Sequence, residues 1–173
     1  MGVSNNPLFI KKIPTNWTGE NMDINEYMKN NKKVIKTAFK SILIDLRKKS
    51  GLSQQNISEY LMIDLSKIRN YEYLKIDSFD ITALYIMKFL MKTPNALMEE
   101  LIKADRENRK KAIIEALQNL RKDANIRIED IADRYAVPYA YLYLFEDGLL
   151  TDEYPLIMYI DYIFLGGNKN AEQ

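Results

Sequence analysis

A chain of 173 residues, 47% of them hydrophobic, carries enough apolar side chain for one ordinary domain or two small ones, and its composition is not that of a disordered protein. It has no cysteine and no histidine, which excludes disulfides, thiol nucleophiles and the usual zinc ligand sets and removes the commonest general base near neutral pH, so neither an enzyme nor a cofactor is expected. The net charge of +1 is uninformative, but its distribution is not: residues 31–75 hold ten Lys/Arg against four Asp/Glu, a local net of +6, whereas residues 121–155 hold four against eight, a local net of −4.

Residues 1–30 show no periodicity and are expected as an N-terminal arm, either disordered or packed through Phe9, Ile10 and Trp17. This N-terminus lacks the apolar core of a signal peptide, and no apolar run reaches the roughly 20 residues of a bilayer span, so a cytoplasmic protein without a membrane partner is expected. Phe39, Ile42, Leu43 and Leu46 then fall at helical spacing. Ser53 is a good N-cap for QQNISEYL, although Asn56 replaces the Glu or Gln of a capping box. Asp64 stands as N-cap before LSKIRNYEY, and Ser78 or Asp80 can start a helix through ITALYIMKFLM. Thr93-Pro94-Asn95 breaks that helix, with Asn95 placed to cap ALMEELIKA. The stretch KADRENRKKA at 103–112 has neither Gly nor Pro and is expected to be continuous helix.

The same order then recurs 74 residues later. Ile113, Ala116, Leu117 and Leu120 repeat Phe39, Ile42, Leu43 and Leu46, and Ile131, Val137, Leu142 and Phe145 repeat Ile57, Ile63, Ile68 and Tyr71. Tyr159 and Ile160 repeat Tyr85 and Ile86. Pro155 lies near the start of the last helix, where a missing N–H matters little, Gly166-Gly167 ends it, and residues 168–173 form a tail. A 74-residue period is too long for a solenoid unit and suits a small helical domain. The expected fold is all-α, with two tandem four- to five-helix domains over residues 31–104 and 105–167.

The first copy, LRKKSGLSQQNISEYLMIDLSKIRNYE, resembles the lambda-repressor-like, or Xre-type, helix-turn-helix family over roughly residues 36–102. Leu46-Arg47 before Leu52, Ser53-Gln54 opening a helix, and Tyr71-Glu72 closing the next one coincide at the family's spacing. The spacing also has a direct reading: Ile57, Leu61, Ile63 and Ile68 turn inward, leaving Leu65, Ser66, Lys67, Arg69 and Asn70 on the outer face of the second short helix. The N-terminal end of such a helix can approach phosphates while its first side chains reach base edges in a major groove. The resemblance implies that Leu65 and Ser66 face bases, that Asn70 meets a base edge or backbone oxygen, and that Lys67 and Arg69 contact phosphate, Arg69 with a base as its other option. It implies that Gln54 bonds phosphate and braces the reading side chains, with Lys40, Lys48 and Lys75 as further phosphate contacts. An Arg and a Glu at the separation of Arg47 and Glu72 form a structural pair in the family, and the pair recurs as Arg121 and Glu146. Met62 and Leu74 occupy positions where the family favours Gly; the left-handed conformation is unfavourable for both, so an altered turn is expected.

The second copy, LRKDANIRIEDIADRYAVPYAYLYLFEDG, resembles the same family but lacks its reading surface. Tyr139, Ala140, Tyr141, Tyr143 and Leu144 stand where Leu65, Ser66, Lys67, Arg69 and Asn70 stand in the first, and Ile128 replaces Gln54. Such aromatic, charge-poor surface is typical of protein interfaces, which marks Tyr139, Tyr141, Tyr143, Tyr159, Tyr162 and Phe164 as candidate contacts for a partner or a second copy. The last helix, YPLIMYIDYIFL, is apolar nearly all round, so it is either central to its domain or part of a subunit interface. The expectation is a double-stranded DNA-binding regulator of bacterial or phage type, a repressor acting as a homo-oligomer, dimer or larger, with a protein or peptide effector as a further partner. The rival expectations are a helix-turn-helix scaffold used for protein contacts and a two-headed DNA binder that uses both repeats.

Overall fold

The computed structural model describes the backbone of residues 24–165 and the side chains of residues 32–165; Phe9, Ile10, Trp17 and the Gly166-Gly167 stop lie outside the described residues. The described chain is all-α, with helices α1 (Ile24–Lys49), α2 (Gln54–Leu61), α3 (Leu65–Glu72), α4 (Phe79–Tyr85), α5 (Asn95–Lys103), α6 (Arg106–Asp123), α7 (Ile128–Tyr135), α8 (Tyr139–Glu146) and α9 (Tyr154–Phe164). A π-helical turn, Ile86–Leu90, prolongs α4. Residues 24–30, expected as the end of an irregular N-terminal arm, are helical and belong to α1.

Local capping explains most boundaries. Ser53 opens α2 with a complete capping box: its hydroxyl accepts from the Asn56 N–H at 3.0 Å, and Asn56 Oδ1 accepts from the Ser53 N–H at 3.1 Å. The shorter Asn side chain thus does what a Glu does elsewhere. Ser78, not Asp80, starts α4, accepting from the Ile81 N–H at 3.1 Å. Asp64 holds the N-cap position of α3 but makes no side-chain cap bond, and Pro94 rather than Asn95 precedes α5. The 103–112 stretch is not continuous helix. Ala104 is extended, and Asp105 caps α6 through the Asn108 N–H at 2.9 Å. Arg109 then donates back to the carbonyls of Leu101, Ile102 and Ala104, making a pinned corner. A strong cap with a basic clamp on the preceding carbonyls outweighs generic helix propensity here.

The repeat survives in the backbone. Left-handed residues fall at Gly51 and Asn125, at Met62 and Ala136, and at Leu74 and Gly148, each pair 74 residues apart. The turn expected to be altered at Met62 and Leu74 is therefore retained, with φ of 57° and 62°. Both side chains are exposed, so each position carries an unfavourable conformation of about 1 kcal/mol without a compensating contact in the core.

The two halves are not separate globules. Buried residues from both belong to a single apolar core that runs from Phe39 and Leu43 through Tyr85 to Leu142 and Ile160. Helix α9, buried continuously from Tyr154 to Tyr162, touches α6 and α7 of its own half and also α1 and α4 of the other. This settles its all-round apolarity: it is the central helix.

Candidate nucleic-acid interface

Each copy is tied together by the same buried polar knot. Arg47 grips Glu72 with two hydrogen bonds of 2.8 and 2.7 Å and donates a third, of 2.6 Å, to the Leu52 carbonyl; the Tyr85 hydroxyl donates to Glu72 at 2.7 Å. Seventy-four residues on, Arg121 grips Glu146 at 2.7 and 3.1 Å and donates to the Ile126 carbonyl at 3.0 Å, while Tyr159 donates to Glu146. A planar guanidinium meets a carboxylate in this two-pronged way because their donor and acceptor geometries match. The knot fixes the first long helix of each copy to its third, which sets the angle at which α3 or α8 faces outward.

Around the first knot, the predicted reading side chains divide by exposure. Ser66, Lys67 and Arg69 on α3 are exposed, and Leu65 and Asn70 are half-buried at its edges. Lys48 at the end of α1 and Lys75 after α3 are exposed. Gln54 is half-buried, and its amide donates to Glu72 at 3.3 Å, so it is braced by the knot. Lys75 follows the C-terminal end of α3 and Gln54 is held against that end through Glu72, whereas Lys48 lies at the end of α1.

Lys40 does not belong with them. It is 2% exposed, its ammonium donates to the Ile76 carbonyl at 3.0 Å and to Asp77 at 3.2 Å, and it lies 4.4 Å from the Tyr71 ring centroid. A lysine so enclosed cannot reach a phosphate backbone without leaving those partners.

The corresponding face of the second copy is aromatic. On α8, Tyr139, Tyr143 and Leu144 are 45%, 46% and 42% exposed; Phe164, also 45% exposed, lies apart at the end of α9. The Tyr139 and Tyr143 hydroxyls donate to Asp133 at 2.9 Å and Glu129 at 2.7 Å. Three of the expected interface residues sit elsewhere. Tyr159 is completely buried at the second knot, Tyr162 is 7% exposed, and Tyr141 is half-buried with its hydroxyl 3.0 Å from Asp152. Helical spacing puts Tyr159 and Tyr162 on a helix that the rest of the molecule surrounds, so they serve as core.

The sequence pattern missed a polar cluster that joins the halves. Glu153, 2% exposed, comes from the start of α9 but accepts from the Thr82 hydroxyl at 2.6 Å, and the Lys36 and Lys40 ammonium groups both lie 3.4 Å from its other oxygen. Asp77 completes the cluster through ion pairs with Lys36 and Lys40. Burial pushes the Glu153 carboxyl above the usual glutamate range, against the Thr82 hydrogen bond and the Lys40 and Lys36 charges. Burial also acts to raise Asp77, but hydrogen bonding with Lys36, Glu153 and Lys40 together outweighs it and brings that group down to about 2. A signal was present: Lys40 and Glu153 stand where the other copy has Ile114 and Phe79, charged residues at positions the repeat marks as apolar.

Comparison of the chain with protein-family models, curated proteins and solved structures finds no match.

Proposed function

We propose that the chain is a sequence-specific double-stranded DNA-binding transcriptional regulator, a repressor of bacterial or phage type, whose first repeat reads DNA and whose second makes protein contacts. One observation carries this reading. On two copies of one scaffold, held by the same Arg–Glu–Tyr knot, the exposed face of α3 offers Ser66, Lys67 and Arg69, whereas that of α8 offers Tyr139, Tyr143 and Leu144. Small hydrogen-bonding and basic side chains at the start of an exposed helix suit base edges flanked by phosphates. Exposed tyrosines and leucine suit a protein surface, and association would double a reading head that by itself spans few base pairs. No described helix is long and apolar enough to cross a membrane, and the reading places the protein in the cytoplasm with duplex DNA as partner.

A second reading, a scaffold for protein contacts only, is favoured by the fate of the basic residues. Lys36 and Lys40 are engaged by Asp77 and Glu153, and Asp64 places an exposed carboxylate at the first turn of α3. Selection of bound duplexes from a random pool by the full chain decides between the two. An enriched inverted repeat is the expected result; no enrichment over the input at moderate salt would leave the protein-contact scaffold.

A further inference from the structure

The first repeat has a groove of about 360 Å³ between α1 and the loop joining α3 to α4. Lys32, Lys33, Lys36, Lys40 and Lys75 line it, with Asp77 as its acidic member. The second repeat has a groove at overlapping positions, but there the basic Lys110, Lys111 and Lys122 are interleaved with Glu107, Glu115 and Asp147. The differences are directed: Lys33, Lys40 and Lys75 match Glu107, Ile114 and Leu149. Lys110, the counterpart of Lys36, donates to the Gly148 carbonyl at 2.7 Å and so caps the end of α8. Lys36 is instead turned onto the carboxylates of Asp77 and Glu153.

We propose that this groove of the first repeat binds a small, multiply charged oxyanion of the phosphate class. Ammonium groups crowded on one wall repel one another unless an anion lies among them. Glu153 supplies one negative charge from behind, and Lys32 is drawn off to Asp152, but Lys33 and Lys75 at the mouth have no acidic partner among the described residues. Asp77 is the informative residue. Its side chain is 63% exposed, yet its carboxylate lies against Lys36 and Lys40, the place an incoming oxyanion would take. Lysine is a compact point charge that suits phosphate oxygens from several directions, and no planar two-pronged partner is needed. Asp77 thus serves as a tethered anion that a bound phosphate group displaces. Because Lys36 and Lys40 also hold Glu153 of the second half, occupancy of the groove is felt at the junction of the repeats.

The test is calorimetric titration of the full chain with inorganic pyrophosphate at moderate salt, without DNA. Saturable binding at one site per chain is expected. Lys33→Glu, which installs the second repeat's residue at an exposed position, should weaken binding about tenfold or more. Asp77→Asn should tighten it about threefold, because the internal competitor loses its charge; a merely structural role for Asp77 would not produce tighter binding. Substituting Lys111 and Lys122 with Gln in the second groove should leave affinity unchanged. Absence of saturation at millimolar pyrophosphate, or equal weakening by the variants of both grooves, overturns the proposal. A duplex titration separates the two sources of phosphate. If Lys33→Glu lowers duplex affinity as Lys67→Ala does while pyrophosphate does not saturate, the groove belongs to the nucleic-acid surface and the free-anion site is refuted.

Discussion

The two repeats differ where a shared scaffold is free to differ and agree where it is not. Both keep a buried Arg–Glu pair, a tyrosine hydroxyl on its carboxylate, and left-handed residues at matching turns. They part at the outward face of the third helix, where solvent imposes no packing constraint, and at the inner positions 40 and 153, where Lys40 is held by Asp77 of its own half as well as Glu153 of the other, and Glu153 by Thr82, Lys36 and Lys40 across the junction. An aromatic pair makes the same point. Tyr71 and Tyr85 meet edge to face at 5.6 Å, and Phe145 and Tyr159 pair at the matching positions in a tilted contact at 5.2 Å; where Phe145 lacks the hydroxyl, Thr82, the partner of Tyr71, is replaced by Leu156. At this position the hydroxyl and its hydroxyl partner are both present in one copy and both absent in the other.

The largest expected effect tests the knots. Arg47→Ala leaves Glu72 buried without its cation and should cost about 3–5 kcal/mol in urea denaturation. Arg121→Ala should cost less, because the Arg121 and Glu146 side chains are 11% and 9% exposed, against 6% and 3% for Arg47 and Glu72. Equal losses would mean that the second knot is as dry as the first.

The outward faces come next. Ser66→Ala and Asn70→Ala should each change duplex sequence preference by about 1–3 kcal/mol, and Lys67→Ala should lower the salt dependence of binding by about one unit without changing preference. Tyr139→Ser with Tyr143→Ser should leave sequence preference intact and shift self-association, read by light scattering. A changed duplex preference in that tyrosine variant would instead support a two-headed DNA binder.

Asp161 sharpens the comparison in the interior, since it replaces the buried Met87 of the first repeat. Burial raises its carboxyl from the ordinary 3.8 to about 6, against the Tyr135 hydrogen bond and the Arg134 charge. A folded-state value above the unfolded one means that the protonated form favours folding. That contribution is fully present below about pH 4 and is lost as pH rises through about 6. Asp161→Asn removes the ionisation while keeping an acceptor for the Tyr135 hydroxyl, so it should stabilise the chain by about 2 kcal/mol at pH 7. Thermal midpoints followed from pH 4 to pH 7 check this; a variant curve parallel to the wild type would refute it.

The smallest pair exchanges turn residues. Leu74→Gly should stabilise by about 1 kcal/mol, and Gly148→Ala should destabilise by a similar amount. A Cβ at Gly148 meets nothing within 4 Å, so only its φ of 76° opposes the change. Matching signs for the two variants in chemical denaturation would contradict a common turn.

The sequence by itself indicated the all-α class, most of the helices and the 74-residue period, because apolar spacing and Ser caps act within a few residues of chain. It also contained the Arg47–Glu72 and Arg121–Glu146 pairs, since a repeated charge pair within a repeated apolar frame is itself a pattern. The exposure of Ser66, Lys67 and Arg69 followed from the same frame. Tertiary structure decided three things that spacing could not. Periodicity shows that a tyrosine lies on a helix face but not what covers that face, so Tyr159 and Tyr162 became core when α9 settled between the halves. Lys40 was drawn from the surface to Asp77 and Glu153, because a buried cation is tolerable only where carboxylates from distant segments converge. The corner at Ala104 and Asp105, pinned by Arg109, turned a run without Gly or Pro into two helices and brought the repeats together on one core. Each of these outcomes depends on contacts between segments far apart in the chain, which no local pattern encodes.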